Sequence, residues 1–186
     1  EQMWIHFRED GFGIGSLCYW ANNDNPEKYE EFRRKDVFRL IEKSITQTSS
    51  DVARVIYEMY KGQYICAAVK QKEWYEFRNH RWIEIDDGYT LRLKMSDTVA
   101  NEYLRVGKYY SNRAIATDPI DDESMNRKDA FVKKSQSLAG VTTKLRRRAF
   151  KEEVMRECAD LFHIEGFREK LNSNLNIIGF DNGILD

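Results

Sequence analysis

One change of rhythm limits what this chain can become. Val52, Val55, Ile56, Met59 and Tyr60 recur every three or four residues, the spacing of one helix face, and Gly62 ends the run. Directly after it, Tyr64-Ile65-Cys66-Ala67-Ala68-Val69 reads as a buried strand. Trp74 to Phe77 and Trp82 to Ile85 read as two more, parted by Asn79-His80. Tyr89 to Met95 alternates, with Leu91, Leu93 and Met95 on one side and Arg92 and Lys94 on the other, and predicts a further strand after Asp87-Gly88. Helical and strand periods in direct succession require layers of both kinds. The fold class is α+β, mostly helical, with a small antiparallel meander near residues 63–95.

Helices are expected on both sides of the meander. Asn25-Pro26 has the residue types of an N-cap and first helical position. The helix should run to about Ser44, with Tyr29, Phe32, Phe38, Ile41 and Ile45 inward. Ser49 or Ser50 would cap the next, and Ser96 or Asp97 one carrying Val99, Tyr103, Val106 and Tyr110. Residues 111–127 are polar and acidic with a proline, and predict a loop. A helical region should resume near Lys128 and pass Gly140 to about Phe162. From Phe167 a short helical turn precedes a hairpin, Ile177 to Phe180 and Ile184-Leu185 about Asn182-Gly183. The chain opens at Glu1 amid aromatics and ends at Asp186 within that hairpin, so it is expected to be part of a longer protein.

Composition narrows the chemistry. A chain of 186 residues, 41% hydrophobic, can bury a core without staples. One third of it is charged, yet the net charge is −1, so any basic surface is local. Cys18, Cys66 and Cys158 are odd in number, widely spaced and without zinc-finger spacing; they read as reduced, buried thiols of a cytosolic or nuclear protein. Neither a signal peptide nor an apolar run of membrane-spanning length occurs, and no membrane partner is expected. A P-loop is missing, since Gly107-Lys108 is followed by Tyr109. GFGIGS, Gly11 to Ser16, reads as a turn packing near Trp20 rather than a dinucleotide site. Cys158 and His163 lack a second ligand pair, and His6, His80 and His163 are scattered. No catalytic residue, metal ligand or cofactor is assigned.

Two basic stretches remain as candidate binding sites. In WYEFRNHRWIEIDDG, Trp74 to Gly88, aromatic residues surround Arg78, His80 and Arg81, with Arg92 and Lys94 close behind. Such a hairpin is either a solvated tip or a surface whose cations meet phosphates while an aromatic ring stacks on a base. The second stretch is Lys144-Leu145-Arg146-Arg147-Arg148, four positive charges in five residues, read as lying on a helix. Glu152 and Glu153 partly neutralise it.

These residues carry a resemblance. The stretch from Tyr57 to Arg92, the helix FKEEVMRECADLF (Phe150 to Phe162) and FREKLNSNLNIIGFDNGILD (Phe167 to Asp186) are similar to the central region of the poxvirus-type primase-helicases of nucleocytoplasmic large DNA viruses. Leu171-Asn172-Ser173-Asn174 departs slightly from that family's Leu-Asp-x-Asn. CYWANNDNPEKYEEFRR, within residues 12–45, resembles the end of the module that follows the primase domain. The resemblance implies two parts: 1–45, closing that module, and 46–186, a collar-like connector preceding a superfamily 3 helicase domain. It further implies a replication enzyme that uses ATP and magnesium and self-associates into a hexameric ring. Single-stranded or forked DNA and other viral replication proteins would be its partners, in the viral factory of the host cytoplasm or in the nucleus. The connector would guide DNA through Arg78, His80, Arg81, Arg92, Lys94, Lys144, Arg146, Arg147 and Arg148. Alternatively, it would assemble or dock the ring without touching DNA.

Overall fold

A computed structural model describes residues 20–21, 23–79, 81–171, 178–180 and 183–185. The GFGIGS stretch, Cys18, His80 and Asn182 lie outside the described residues. Helix α1 spans Pro26–Lys43. Asn25 caps it, its side-chain oxygen accepting the Lys28 N–H at 3.0 Å. Val37 and Ile41 are buried in the main core, and Phe38 and Ile45 pack partly against it. Phe32, expected inward, is exposed, because five residues before Val37 is off the stripe that Val37 and Ile41 define. Helix α2, Ser49–Tyr60, is capped one residue earlier than expected, by Thr48, whose hydroxyl accepts the Asp51 N–H at 3.2 Å. Val52, Val55 and Ile56 are fully buried.

Gly62, at φ +83°, turns the chain into a three-stranded antiparallel sheet of β1 (Tyr64–Ala68), β2 (Glu73–Arg78) and β3 (Arg81–Asp86), in that order. The register sets Trp74 opposite Ile85 and Cys66, and all three enter the main core. Ile65 and Tyr75 join Phe167 in a second, smaller core, with Trp82 packed against it.

The expected fourth strand is a helix. Helix α3, Tyr89–Lys94, passes through a π-helical turn, Met95–Val99, into α4, Ala100–Ile115. The sheet therefore ends at Asp86 rather than Met95. Leu91, Met95, Val99, Tyr103, Val106 and Tyr110 form the buried stripe, while Leu93 is 64% exposed. Leu91 and Met95 are four apart and fit either period; Leu93 decides between them. Gly88 starts the helix in the left-handed region at φ +62°. A Cβ there would meet the Met155 Cε at 2.6 Å and the Trp74 ring at 3.3 Å. Ser96 and Asp97 thus lie inside the π turn, not at a cap.

The expected loop over 111–127 is mostly helical too. Helix α5, Asp122–Lys144, opens on a capping box: Asp121 accepts the Ser124 N–H at 2.7 Å, and the Ser124 hydroxyl accepts the Asp121 N–H at 3.0 Å. Of the acidic residues read as loop, Asp118 stays in one, while Asp121 is a cap and Asp122 and Glu123 form a first turn. The helical region expected to about Phe162 consists of two helices, because α6 spans Arg148–Leu161. Leu145 is buried at the break, so the basic run is no single helix face: Lys144 ends α5, Leu145 to Arg147 form the turn and Arg148 begins α6.

The rest follows the sequence reading. Helix α7 is Phe167–Lys170, and β4 (Ile178–Phe180) pairs antiparallel with β5 (Gly183–Leu185). The end of α6 docks on β1: the Cys66 N–H donates to the Phe162 carbonyl at 3.0 Å, and the Ile164 N–H to the Cys66 carbonyl at 3.2 Å. Cys66 and Cys158 are buried free thiols. Deep in the core the Tyr103 and Ser44 hydroxyls hydrogen-bond at 2.7 Å, tying α4 to the end of α1.

Urea denaturation checks the helical assignment at 89–95. Leu91→Ala and Met95→Ala should each lose about 2–5 kcal/mol, while Leu93→Ala should change stability by no more than about 0.5 kcal/mol. Three comparable losses would restore the strand.

Candidate nucleic-acid interface

The tip of the β2–β3 hairpin is built from two cross-strand pairs. Arg78 stands directly opposite Arg81, both exposed, and Phe77 opposite Trp82 one step below. The Phe77 and Trp82 rings lie 5.1 Å apart between centroids, and Phe77 is exposed. Asn79 turns the tip at φ +53°. Like charges placed directly opposite on neighbouring strands repel. The tip therefore concentrates positive charge at one exposed point.

Lys94 is placed differently. Its ammonium lies 3.7 Å from Glu76 Oε1, and 5.0 Å and 4.9 Å from the ring centroids of Tyr60 and Tyr64. Glu76, on the inner side of β2, is only 6% exposed, and the Tyr64 hydroxyl donates to it at 2.9 Å. Burial pulls the Lys94 pKa below the usual lysine value, against the opposing pull of Glu76. Burial likewise raises the Tyr64 phenol. Lys94 thus balances a buried carboxylate and faces the fold, not the solvent.

Arg92 and Arg148 meet on one groove of about 820 Å³ between α3, α6 and the β1–β2 turn. Both are engaged there: Arg92 pairs with Asp87, and Arg148 Nε lies 2.8 Å from Glu152. Lys72, Lys151 and Arg156 also line the groove and escaped the sequence reading. For Lys151 the signal was the α6 spacing of Arg148, Lys151 and Met155, three and then four residues apart. The Lys151 ammonium is held at 2.9 Å by a neutral group, the Ser96 hydroxyl within the π turn.

The rest of the basic run splits. Arg146 and Arg147 are exposed on the α5–α6 turn and form no ion pair among the described residues. Lys144 is half-buried, its ammonium 5.6 Å from the Phe150 ring centroid. With Arg147 it edges a shallower pocket of about 470 Å³ beside Thr48 and Ser49.

Cys66, Cys158 and His163 are tied into the fold. Burial pushes the Cys66 thiol up to about 11 and raises Cys158 too, so neither is a ready thiolate. His163 Nδ1 lies 3.0 Å from the Cys66 carbonyl and latches α6 to β1. Among the described residues no group of three or more His, Cys, Asp or Glu side chains is arranged to hold a metal ion. No described helix is long and apolar enough to cross a membrane.

Comparison with known proteins decides the family. The D5 N-terminal-like family matches residues 53–186, most of the chain. This chain belongs to that family. A protein of Acanthamoeba polyphaga mimivirus, named as helicase L207/L206, is 34% identical over 188 residues, covering 100% of this chain and 19% of its own length. Frog virus 3 has one named as helicase 022R, 26% identical over 203 residues, covering 96% of this chain and 21% of that protein. An African swine fever virus protein named as primase C962R is 20% identical over 205 residues, covering 100% of this chain and 21% of that one. The chain thus spans about a fifth of the length of the curated relatives it matches. The resemblance to the central region of viral primase-helicases holds.

The Lys94–Glu76 pair yields a test of its structural role. Lys94→Met strands a buried carboxylate and should cost about 3 kcal/mol by chemical denaturation. Lys94→Met with Glu76→Gln should recover more than half of that. An unchanged stability in Lys94→Met would return Lys94 to the surface.

Proposed function

We propose that this chain is the non-catalytic connector of a viral DNA replication primase-helicase and that it contacts DNA at two exposed cationic points. The first is the hairpin tip of Arg78 and Arg81; the second is the α5–α6 turn of Arg146 and Arg147. The observation that carries this reading is the cross-strand register of the exposed Arg78 and Arg81 beside the Phe77–Trp82 ring pair, of which Phe77 is exposed. Phosphate neutralises the first feature, and an unstacked base suits the second. The relatives' names, helicase and primase, support a replication role inside the infected cell, with single-stranded or forked DNA and other replication proteins as partners.

ATP and magnesium belong to the proposed longer protein, and the described residues offer no phosphate loop for them. Gly107, from the sole Gly-Lys pair that hints at a phosphate loop, sits buried inside α4, with Leu138 Cβ 3.7 Å from where its own Cβ would stand. No step of nucleotide chemistry is assigned to this chain. Arg92 and Arg148 are secondary contacts in this proposal, because Asp87 and Glu152 already compete for them.

Fluorescence anisotropy with a labelled single strand and a labelled duplex tests the reading. Affinity should fall steeply between about 50 and 200 mM salt. Arg78→Ala/Arg81→Ala and Arg146→Ala/Arg147→Ala should each weaken binding roughly tenfold and reduce the salt slope by about 2. Arg92→Ala/Arg148→Ala should do less. No binding at low salt by a chain that circular dichroism shows to be folded would sink the DNA reading and leave an assembly module.

A further inference from the structure

The proposed DNA contacts do not account for the α3–α6 groove, whose charges are unequally engaged. Its cations outnumber its carboxylates five to three. Asp87 is taken by Arg92 and, at 3.7 Å, by Lys72, while Glu152 is taken by Arg148 at 2.8 Å. Lys151 and Arg156 are left with no ion pair among the described residues. The Ser96 hydroxyl holds the Lys151 ammonium at 2.9 Å, so that charge is positioned without being cancelled. Arg156 is exposed. A chain whose net charge is −1 thus keeps a positive excess in one groove.

The rest of the groove is apolar. The buried Trp74 and Met155 belong to its lining, and Val69, Tyr89 and Leu93 stand exposed around them. Large apolar side chains gathered at that exposure around a cleft mark an interaction site. The groove is also set in shape. Trp74 and Met155 are packed together on Gly88, and the π turn fixes Lys151 through Ser96. Little ordering cost remains for docking.

A nucleic-acid strand brings a charge on every nucleotide, and here it would also meet Asp87, Glu152 and Asp160. A peptide can space its carboxylates between apolar side chains. We infer that the groove receives an acidic, apolar segment of a different protein, with carboxylates on Lys151 and Arg156 and apolar side chains against Tyr89 and Leu93. The complementarity is of charge and of spacing. Lys151 and Arg156 are five positions apart on α6, about 7.5 Å along its axis, and Tyr89 and Leu93 are four apart on α3, about 6 Å. Alternate residues of an extended strand are about 6.7 Å apart and share one face. A segment that alternates acidic and apolar residues would therefore turn its carboxylates to α6 and its apolar side chains to α3.

Methyl NMR of the methionine-labelled chain, titrated with a short alternating Asp-Leu peptide up to millimolar concentration, tests this. The Met155 methyl, in the groove, should shift, and that of Met125, exposed on α5, should not. An alternating Asn-Leu peptide and an oligo-aspartate should each bind at least about tenfold more weakly, the first lacking the charges and the second the apolar side chains. Leu93→Ser and Lys151→Gln/Arg156→Gln should each weaken the Asp-Leu peptide about tenfold. None of the three positions is buried, so the fold should survive, which circular dichroism checks. Arg78→Ala/Arg81→Ala should leave peptide binding unchanged, which separates this inference from the DNA reading. A Met155 signal that stays still at millimolar peptide overturns the inference, as does oligo-aspartate binding equally well or binding indifferent to Leu93→Ser. Oligothymidylate that shifts Met155 and displaces the peptide would assign the groove to nucleic acid instead.

Discussion

The close approach at Gly88 is the contact on which the rest of the molecule depends. There the chain leaves the sheet and enters the long helical run, and Trp74 from β2 and Met155 from α6 press on the spot where a side chain would stand. Sheet, rod and α6 therefore converge on one backbone atom. Glycine serves twice, supplying both the left-handed backbone and the missing volume. Phe162 extends the same junction, its ring centroid 5.8 Å from that of Trp74 and 5.1 Å from that of Tyr57 on α2. The aromatic cluster so formed is what joins the helical layers to the sheet.

Charge is arranged on the same plan as the packing. The nearly neutral net charge hides a division of labour among cations. Lys94 is spent inside on Glu76; Arg92 and Arg148 are paired at the groove; Arg146 and Arg147 face water. Sequence proximity did not sort these residues, because adjacent basic residues within a turn point in unrelated directions. A run of four charges in five residues thus dissolves into a half-buried lysine over a phenylalanine ring, two solvated arginines and one ion-paired arginine.

Much of the fold was legible because its signals were local. The Asn25-Pro26 start, the stripe of α2, the Gly62 stop and three of the strands are each set by a few neighbouring residues. What failed needed tertiary information. Leu91, Leu93 and Met95 fit a strand as well as a helix until it is known that Trp74 and Met155 occupy the space beside Gly88. The acidic stretch before α5 reads as a loop by composition, yet Asp121 and Ser124 use those polar groups to start a helix. Of the candidate site, the hairpin arginines were visible as a pair, since a two-residue tip forces them opposite one another. The groove was not visible, since it joins α3 to α6 across more than fifty residues of chain.

The π turn at Met95–Val99 has a consequence for evolution of the rod. Leu91, Met95, Val99 and Tyr103 follow at uniform steps of four, which an α-helix would let drift around its axis. The wider winding absorbs that drift and keeps the four residues in line on the core. A π turn is one residue more than an α turn holds. Losing that residue would swing everything beyond it by roughly 100° about the axis. The two ends of the rod are therefore held in a fixed angular phase by a single inserted amino acid. Chains of this family that gain or lose it would present the same surfaces at a different dihedral offset.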